Sequence, residues 1–75
     1  MKAKEYKIIF ENETVYNAQI YFSMGETKVY LFVKQKDGTD FFTYRIHKKT
    51  LKMKGISKTS TWDVKSPIKI IELPN

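Results

Sequence analysis

The residues of this chain that are best suited to chemistry are cations and aromatic rings. One stretch, residues 45–58, contains no Asp or Glu and carries Arg45, Lys48, Lys49, Lys52, Lys54 and Lys58. Residues 1–40 carry equal numbers of Lys and acidic residues, so the formal net charge of +6 arises in residues 41–75. Charges of one sign that are not neutralised build a positive field. This predicts a polyanionic partner, and DNA, RNA, an acidic protein or an anionic membrane surface would all fit.

Several of these cations are predicted to share a sheet face with aromatic rings. Asp37-Gly38 is typical of the two-residue type I′ turn of a β-hairpin, which fixes the pairing of its two strands. On that register, an apolar face towards the core is formed by the pairs Val33–Phe42, Leu31–Tyr44 and Val29–Ile46. The opposite face carries the pairs Lys34–Phe41, Phe32–Thr43, Tyr30–Arg45 and Lys28–His47. Rings and cations therefore alternate on the predicted outer face.

These observations define a candidate anion-binding surface. Its predicted residues are Lys28, Tyr30, Phe32, Lys34, Phe41, Arg45, Lys48, Lys49, Lys52 and Lys54. The cations would neutralise phosphates and the rings would stack on bases, which favours RNA or single-stranded DNA over a regular duplex. The sequence therefore predicts a non-catalytic nucleic-acid-binding domain.

Other interpretations of the same residues stay open. Tyr, Phe and Arg also anchor protein interfaces, so this face or a sheet edge could dock on a protein partner or on a second copy of the chain, as in an accessory or phage-type factor. The basic stretch could be a solvated surface, and a second layer could bury Tyr30, Phe32 and Phe41. A continuous cationic groove would favour nucleic acid. The residue pattern does not show whether the lysines after His47 join the hairpin face.

Catalytic and metal-binding constellations are not evident. The chain has one His and no Cys, which excludes a thiolate or multi-His metal site and a disulfide framework, and no cofactor is expected. The acidic residues are scattered, and the glycines stand alone at predicted turns instead of forming a phosphate-binding motif. His47 is interpreted as a surface residue. One enzymatic alternative is a small ribonuclease that places Arg, Lys and one His around a phosphate.

The elements that must position these residues are predicted to be short strands. Apolar residues alternate with polar ones in residues 6–10, 14–22, 27–35, 40–46, 61–64 and 68–73, separated by turn signals. Six or seven strands in 75 residues predict one all-β domain over residues 1–75, a small antiparallel meander or partly closed barrel, SH3-like or OB-like. Because there is no long apolar run or signal peptide, no membrane contact is predicted and a cytoplasmic protein is expected.

Several local assignments rest on weaker signals. Residues 50–54 fit a short strand with Leu51 and Met53 inward, but also a helical turn. Residues 23–26 are predicted to form a turn, and Gly55 is predicted to end the element before it. Trp62 is expected to fill the core. The last strand is apolar on both faces, which is typical of a central or covered strand.

Overall fold

The computed structural model describes residues 4–11, 16–36 and 42–74, and this part of the chain forms seven antiparallel strands in one sheet. The strands are β1 (Glu5–Glu11), β2 (Tyr16–Glu26), β3 (Tyr30–Gln35), β4 (Thr43–His47), β5 (Met53–Ile56), β6 (Thr61–Asp63) and β7 (Lys69–Glu72). No helix occurs in the described ranges. The predicted all-β class, an antiparallel meander or partly closed barrel, is confirmed.

The sheet curls because its two edge strands are joined by a short connection. The strand order is β6-β5-β4-β3-β2-β1-β7, so a flat sheet would hold β6 and β7 about 29 Å apart. The chain from Asp63 to Lys69 reaches at most about 21 Å. The connection also lies across the sheet, where Ser66 Oγ accepts a hydrogen bond of 3.1 Å from the backbone N–H of Met53. One face of the sheet is therefore concave and the other convex.

The concave face holds the hydrophobic core. Its buried side chains are Tyr6, Ile8 and Phe10 of β1, Tyr21 of β2, Leu31 and Val33 of β3, Ile46 of β4 and Met53 of β5. Alternate residues of a strand point to opposite faces, and Leu31 and Val33 of β3 point inward as predicted. Val29 and Phe42, which were also predicted on the core face, lie at its ends and are 45% and 51% exposed.

The register of the β3–β4 hairpin differs by two residues from the predicted one. Leu31 pairs with Ile46 and Val33 with Tyr44, whereas the two-residue turn predicted Tyr44 and Phe42 as their partners. The observed register places Ile46, which is fully buried, opposite the buried Leu31 instead of the exposed Val29. A shift of two residues leaves every side chain on its predicted face. The Asp37-Gly38 turn and Phe41 lie outside the described residues.

The turn predicted at residues 23–26 is instead a β-bulge inside the long strand β2. The register against β3 shifts between Ser23 and Gly25, and Met24 is the additional residue. Gly25 has a φ of 138°, which other residues rarely adopt. The chain turns only after Glu26, where Thr27 Oγ1 accepts hydrogen bonds from the backbone N–H groups of Val29 and Tyr30.

Gly55 does not end a strand, as was predicted, but lies buried within β5. A Cβ atom at this position would overlap the indole ring of Trp62 on the neighbouring strand β6. Trp62 is half-buried and also contacts the Phe42 ring edge-to-face, with ring centroids 5.0 Å apart, so it lies on the concave face beside Gly55 but is not part of the buried core. Of the two alternatives predicted for the last strand, central or covered, the central one is wrong, because β7 is an edge strand beside β1.

Candidate functional site

The sheet brings Lys52, directly before β5, and Lys54 of β5 onto the same convex surface as the rings of β3. Tyr30 pairs with His47, whose backbone N–H donates to the Lys52 carbonyl, so these three residues form one row. Phe32, Arg45 and Lys54 form the next row. We call this surface, made by Tyr30, Phe32, Arg45, His47, Lys52 and Lys54, the basic-aromatic face. The sequence pattern left open whether these lysines join the hairpin, and the pairing of β4 with β5 shows that they do.

Tyr30 is the centre of the contacts on the basic-aromatic face. The Arg45 guanidinium carbon lies over its ring, 4.6 Å from the centroid. The Phe32 ring packs beside the Tyr30 ring, with centroids 6.4 Å apart. The His47 ring meets the Tyr30 ring edge-on, with centroids 5.4 Å apart. The predicted contact between Arg45 and Tyr30 is therefore present, although Arg45 lies diagonally from Tyr30 and directly opposite Phe32. A cation over a ring is an attractive arrangement that also limits the motion of the long Arg side chain.

Between the two rows lies a shallow depression of about 120 Å³. It is lined by Tyr30, Arg45, His47, Thr50, Lys52 and Lys54. The lining contains two ammonium groups and one guanidinium, but no carboxylate. Such a set of hydrogen-bond donors suits an anionic group that offers oxygen atoms.

His47 has a structural role that the sequence did not reveal. Its Nδ1 atom accepts hydrogen bonds of 3.2 Å from the backbone N–H groups of both Lys49 and Thr50. The Leu51 N–H closes the same turn onto the His47 carbonyl, and Leu51 adopts a positive φ of 63°. Because Nδ1 is an acceptor here, the neutral ring carries its proton on Nε2, which remains a donor. The turn sets the start of β5 and so places Lys52 beside His47.

Two of the predicted cations are paired with acidic residues from other strands. Lys48 forms an ion pair with Glu26, and Lys54 forms one with Asp63, with Nζ and Oδ1 3.5 Å apart. The expectation of an unneutralised field over residues 45–58 is therefore wrong at these two positions. The hydrogen bond from Lys48, together with its charge, holds the pKa of Glu26 below its ordinary value. Lys48 also lines a cavity at one end of the barrel with Leu31 and Leu51, apart from the basic-aromatic face.

The remaining predicted site residues lie around this surface. Lys28 and Lys49 are exposed in adjacent turns, which are joined by a 2.8 Å hydrogen bond from the Lys48 N–H to the Val29 carbonyl. Lys34 is half-buried and pairs with Thr43. Tyr30 and Phe32 are half-buried, and β7 does not cover them because it lies at the opposite side of the sheet. Within the described ranges, Lys28, Lys34, Arg45, Lys49 and Lys52 form no ion pair.

A second convex surface was not singled out from the sequence. On β7, β1 and β2, the pairing gives a row of Ile20, Lys7 and Ile71 and a row of Ala18, Ile9 and Lys69. We call these six residues the aliphatic face. Ile9, Ile20 and Ile71 are half-buried although they lie on the outside of the barrel. The signal in the sequence is that Ile8-Ile9 and Ile70-Ile71 put an apolar residue on both faces of a strand.

Comparisons with models of known protein families, with curated proteins and with solved structures find no match. The SH3-like and OB-like alternatives therefore remain predictions. In the part of the chain that the structure describes, no helix is long and apolar enough to cross a membrane, and no three His, Asp or Glu residues are grouped as metal ligands. The described residues form one curled sheet of seven antiparallel strands, which carries the basic-aromatic face.

Proposed function

We propose that this protein is a non-catalytic nucleic-acid-binding β-domain whose basic-aromatic face binds RNA or single-stranded DNA. The observation that carries the proposal is the adjacency of two kinds of group on one surface. Tyr30 and Phe32 lie on β3, Lys52 lies directly before β5 and Lys54 on it, and Arg45 lies between the two pairs on β4. Phosphates need the cations, whereas exposed bases need planar groups.

The shape of the surface favours single strands over duplex. The basic-aromatic face is the convex side of a curled sheet, and its planar groups can reach bases only if these are turned out of a stack. In a regular duplex the bases are stacked on one another and present only their edges in the grooves. A single strand with unstacked bases can stack these bases on the rings while its phosphates bind the cations.

The first experiment measures the affinity of a fluorescently labelled single-stranded oligonucleotide by anisotropy at several salt concentrations. Five predicted cations form no ion pair in the described chain, so about five neutralised phosphates would give a log–log slope of about −3 to −4. Lys52→Glu should weaken binding strongly. Lys69→Glu is the matched control, since it makes the same change in net charge on an exposed residue of the aliphatic face. Equal effects of the two variants would indicate only a general attraction to positive charge, and no binding at about 50 mM salt would contradict the proposal.

A second candidate function is protein interaction, and the aliphatic face is the observation that favours it. Contiguous apolar surface on a small domain often marks an interface. The experiment is light scattering coupled to size-exclusion chromatography over a range of protein concentrations, with Ile9→Lys as the variant. A dimer that Ile9→Lys dissociates would support self-association through this face. A monomer at all concentrations would argue against it.

The proposed location is the cytoplasm, in keeping with a sequence that contains no Cys. Fluorescence microscopy of a tagged full-length chain in its native host tests this placement directly.

A further inference from the structure

Resting on the proposed function, we infer that the depression on the basic-aromatic face is a phosphate subsite for one nucleotide unit and that Arg45 is the platform on which its base stacks. The phosphate would lie on the β5 side, and the base would lie towards β3. This deepens the proposed function by assigning different parts of the nucleotide to different side chains.

The phosphate subsite follows from the groups that line the depression. Lys52, directly before β5, and Lys54 on β5 lie on the same face, about 6.6 Å apart along the chain, so both ammonium groups can reach one phosphate or two successive ones. His47 adds an Nε2–H donor and Thr50 adds a hydroxyl. No carboxylate lines the depression, and the Asp63 side chain that approaches Lys54 is 90% exposed. An exposed ion pair is weak and can be replaced by a phosphate.

The platform follows from the position of the Arg45 guanidinium. The guanidinium carbon lies over the Tyr30 ring, 4.6 Å from its centroid, so Arg45 covers one face of Tyr30. Tyr30 is further enclosed by Phe32 and His47. In the inferred complex the base would stack on the side of the guanidinium away from the ring, because planar guanidinium groups stack on bases. Tyr30 would then act as a positioning residue instead of the stacking platform predicted from the sequence.

The position of Arg45 also connects the two subsites. Arg45 pairs with Lys54 on one side and with Phe32 on the other. A nucleotide whose phosphate occupies the depression can thus place its base over Arg45, and the next base along the strand can reach Phe32. None of these contacts involves the sugar, so the nucleotide can belong to RNA or to DNA.

The test compares two oligonucleotides of equal length, an oligothymidine and an abasic deoxyribose-phosphate strand, against matched variants by fluorescence anisotropy. Arg45→Lys keeps the charge and removes the planar group. We expect it to weaken oligothymidine binding by about 5-fold or more and to leave abasic-strand binding nearly unchanged. Lys52→Gln should weaken both strands equally and reduce the magnitude of the salt slope for each by about 0.7. Lys69→Gln removes the same charge from an exposed residue of the aliphatic face, and we expect it to bind both strands nearly as the natural chain does.

Each outcome decides one part of the inference. If Arg45→Lys weakens both strands alike, or neither, Arg45 is not the platform, although the proposed function survives. If Lys52→Gln leaves the abasic strand unaffected, the depression is not the phosphate subsite. If the natural chain binds neither strand at low salt, the proposed function fails and the inference fails with it. Two-dimensional amide NMR spectra of each variant exclude unfolding as the cause of lost binding.

Discussion

The two convex surfaces of this barrel depart from the usual polar exterior in different ways. The basic-aromatic face joins rings to cations through direct contacts, such as the one between Arg45 and Tyr30. The aliphatic face alternates Ile side chains with Lys7 and Lys69, and these residues contribute no aromatic ring and no hydrogen-bonding group besides the two amines. Apolar contact has no preferred direction, whereas rings, guanidinium and ammonium groups are directional. Positive charge occurs on both surfaces, but of the two only the basic-aromatic face holds a cation in direct contact with an aromatic ring.

The largest expected effect comes from a substitution in the hydrophobic core, against which the strands of both surfaces pack. Leu31 of β3 is 4% exposed, and its side chain lies in the core. Leu31→Ala should lower the free energy of unfolding by about 2–5 kcal/mol because it leaves a cavity. Chemical denaturation measures this cost. The control is Lys34→Ala on the other side of the same strand, for which we expect a change within about 0.5 kcal/mol. Reversed costs would mean that the two faces of β3 are exchanged.

The next largest expected effect concerns the packing between β5 and β6. Gly55→Ala places a methyl group where the Trp62 indole lies, and overpacking of this kind costs about 1–3 kcal/mol. Trp62→Leu in the same chain should relieve the overlap, so the cost of Gly55→Ala should be smaller in that background. A double-mutant cycle from denaturation curves measures the coupling. Additive effects would contradict the packing of Trp62 on Gly55.

The faces of the β3–β4 hairpin could be predicted from the sequence, but long-range neighbours could not. Period-two alternation correctly placed Leu31, Val33 and Ile46 inward, and it stayed correct although the hairpin register was wrong by two residues. Glycine was ambiguous because the same residue serves turns, bulges and close packing. Gly25 lies in a bulge, although a turn was predicted there. Gly55 packs against the Trp62 indole within a strand, although it was predicted to end one.

The candidate site shows the same division between local and long-range information. The aromatic and cationic residue types, and their outward direction, were visible in the sequence. The ion pair between Lys48 and Glu26 joins residues 22 positions apart, and no local pattern predicts it. The use of His47 Nδ1 as a turn acceptor was also missed, since His is not among the side chains that usually close turns.

A smaller effect distinguishes the two surfaces by function. Ile20→Lys adds a cation to the aliphatic face next to Lys7. If binding needs the directional groups of the basic-aromatic face, this additional charge should change oligonucleotide affinity by less than about 2-fold at 150 mM salt, because screening limits its reach to about 8 Å. Anisotropy titration measures the affinity. A large gain in affinity from Ile20→Lys would show that charge alone governs binding and would remove the difference between the surfaces.

The smallest expected effect tests whether Lys48 belongs to the barrel end or to the basic-aromatic face. Lys48 pairs with Glu26, and this holds the pKa of Glu26 below the ordinary value in the folded state. A carboxyl group with a lowered folded-state pKa contributes stability above its unfolded-state pKa and loses that contribution as the pH falls through the folded-state pKa. Lys48→Gln should therefore be slightly less stable than the natural chain near neutral pH, and the difference should vanish in acid.

Denaturant unfolding of both chains from neutral pH to about pH 2 measures this difference, and repeating it in high salt should reduce the difference at neutral pH because the pair is exposed. The same variant should leave oligonucleotide affinity almost unchanged, since Lys48 already has a carboxylate partner and lines the end of the barrel. Lys52→Gln, which removes the same charge from the basic-aromatic face, is the comparison. If Lys48→Gln weakens binding as much as Lys52→Gln, then Lys48 leaves Glu26 to meet the nucleic acid, and the basic-aromatic face extends to the end of the barrel.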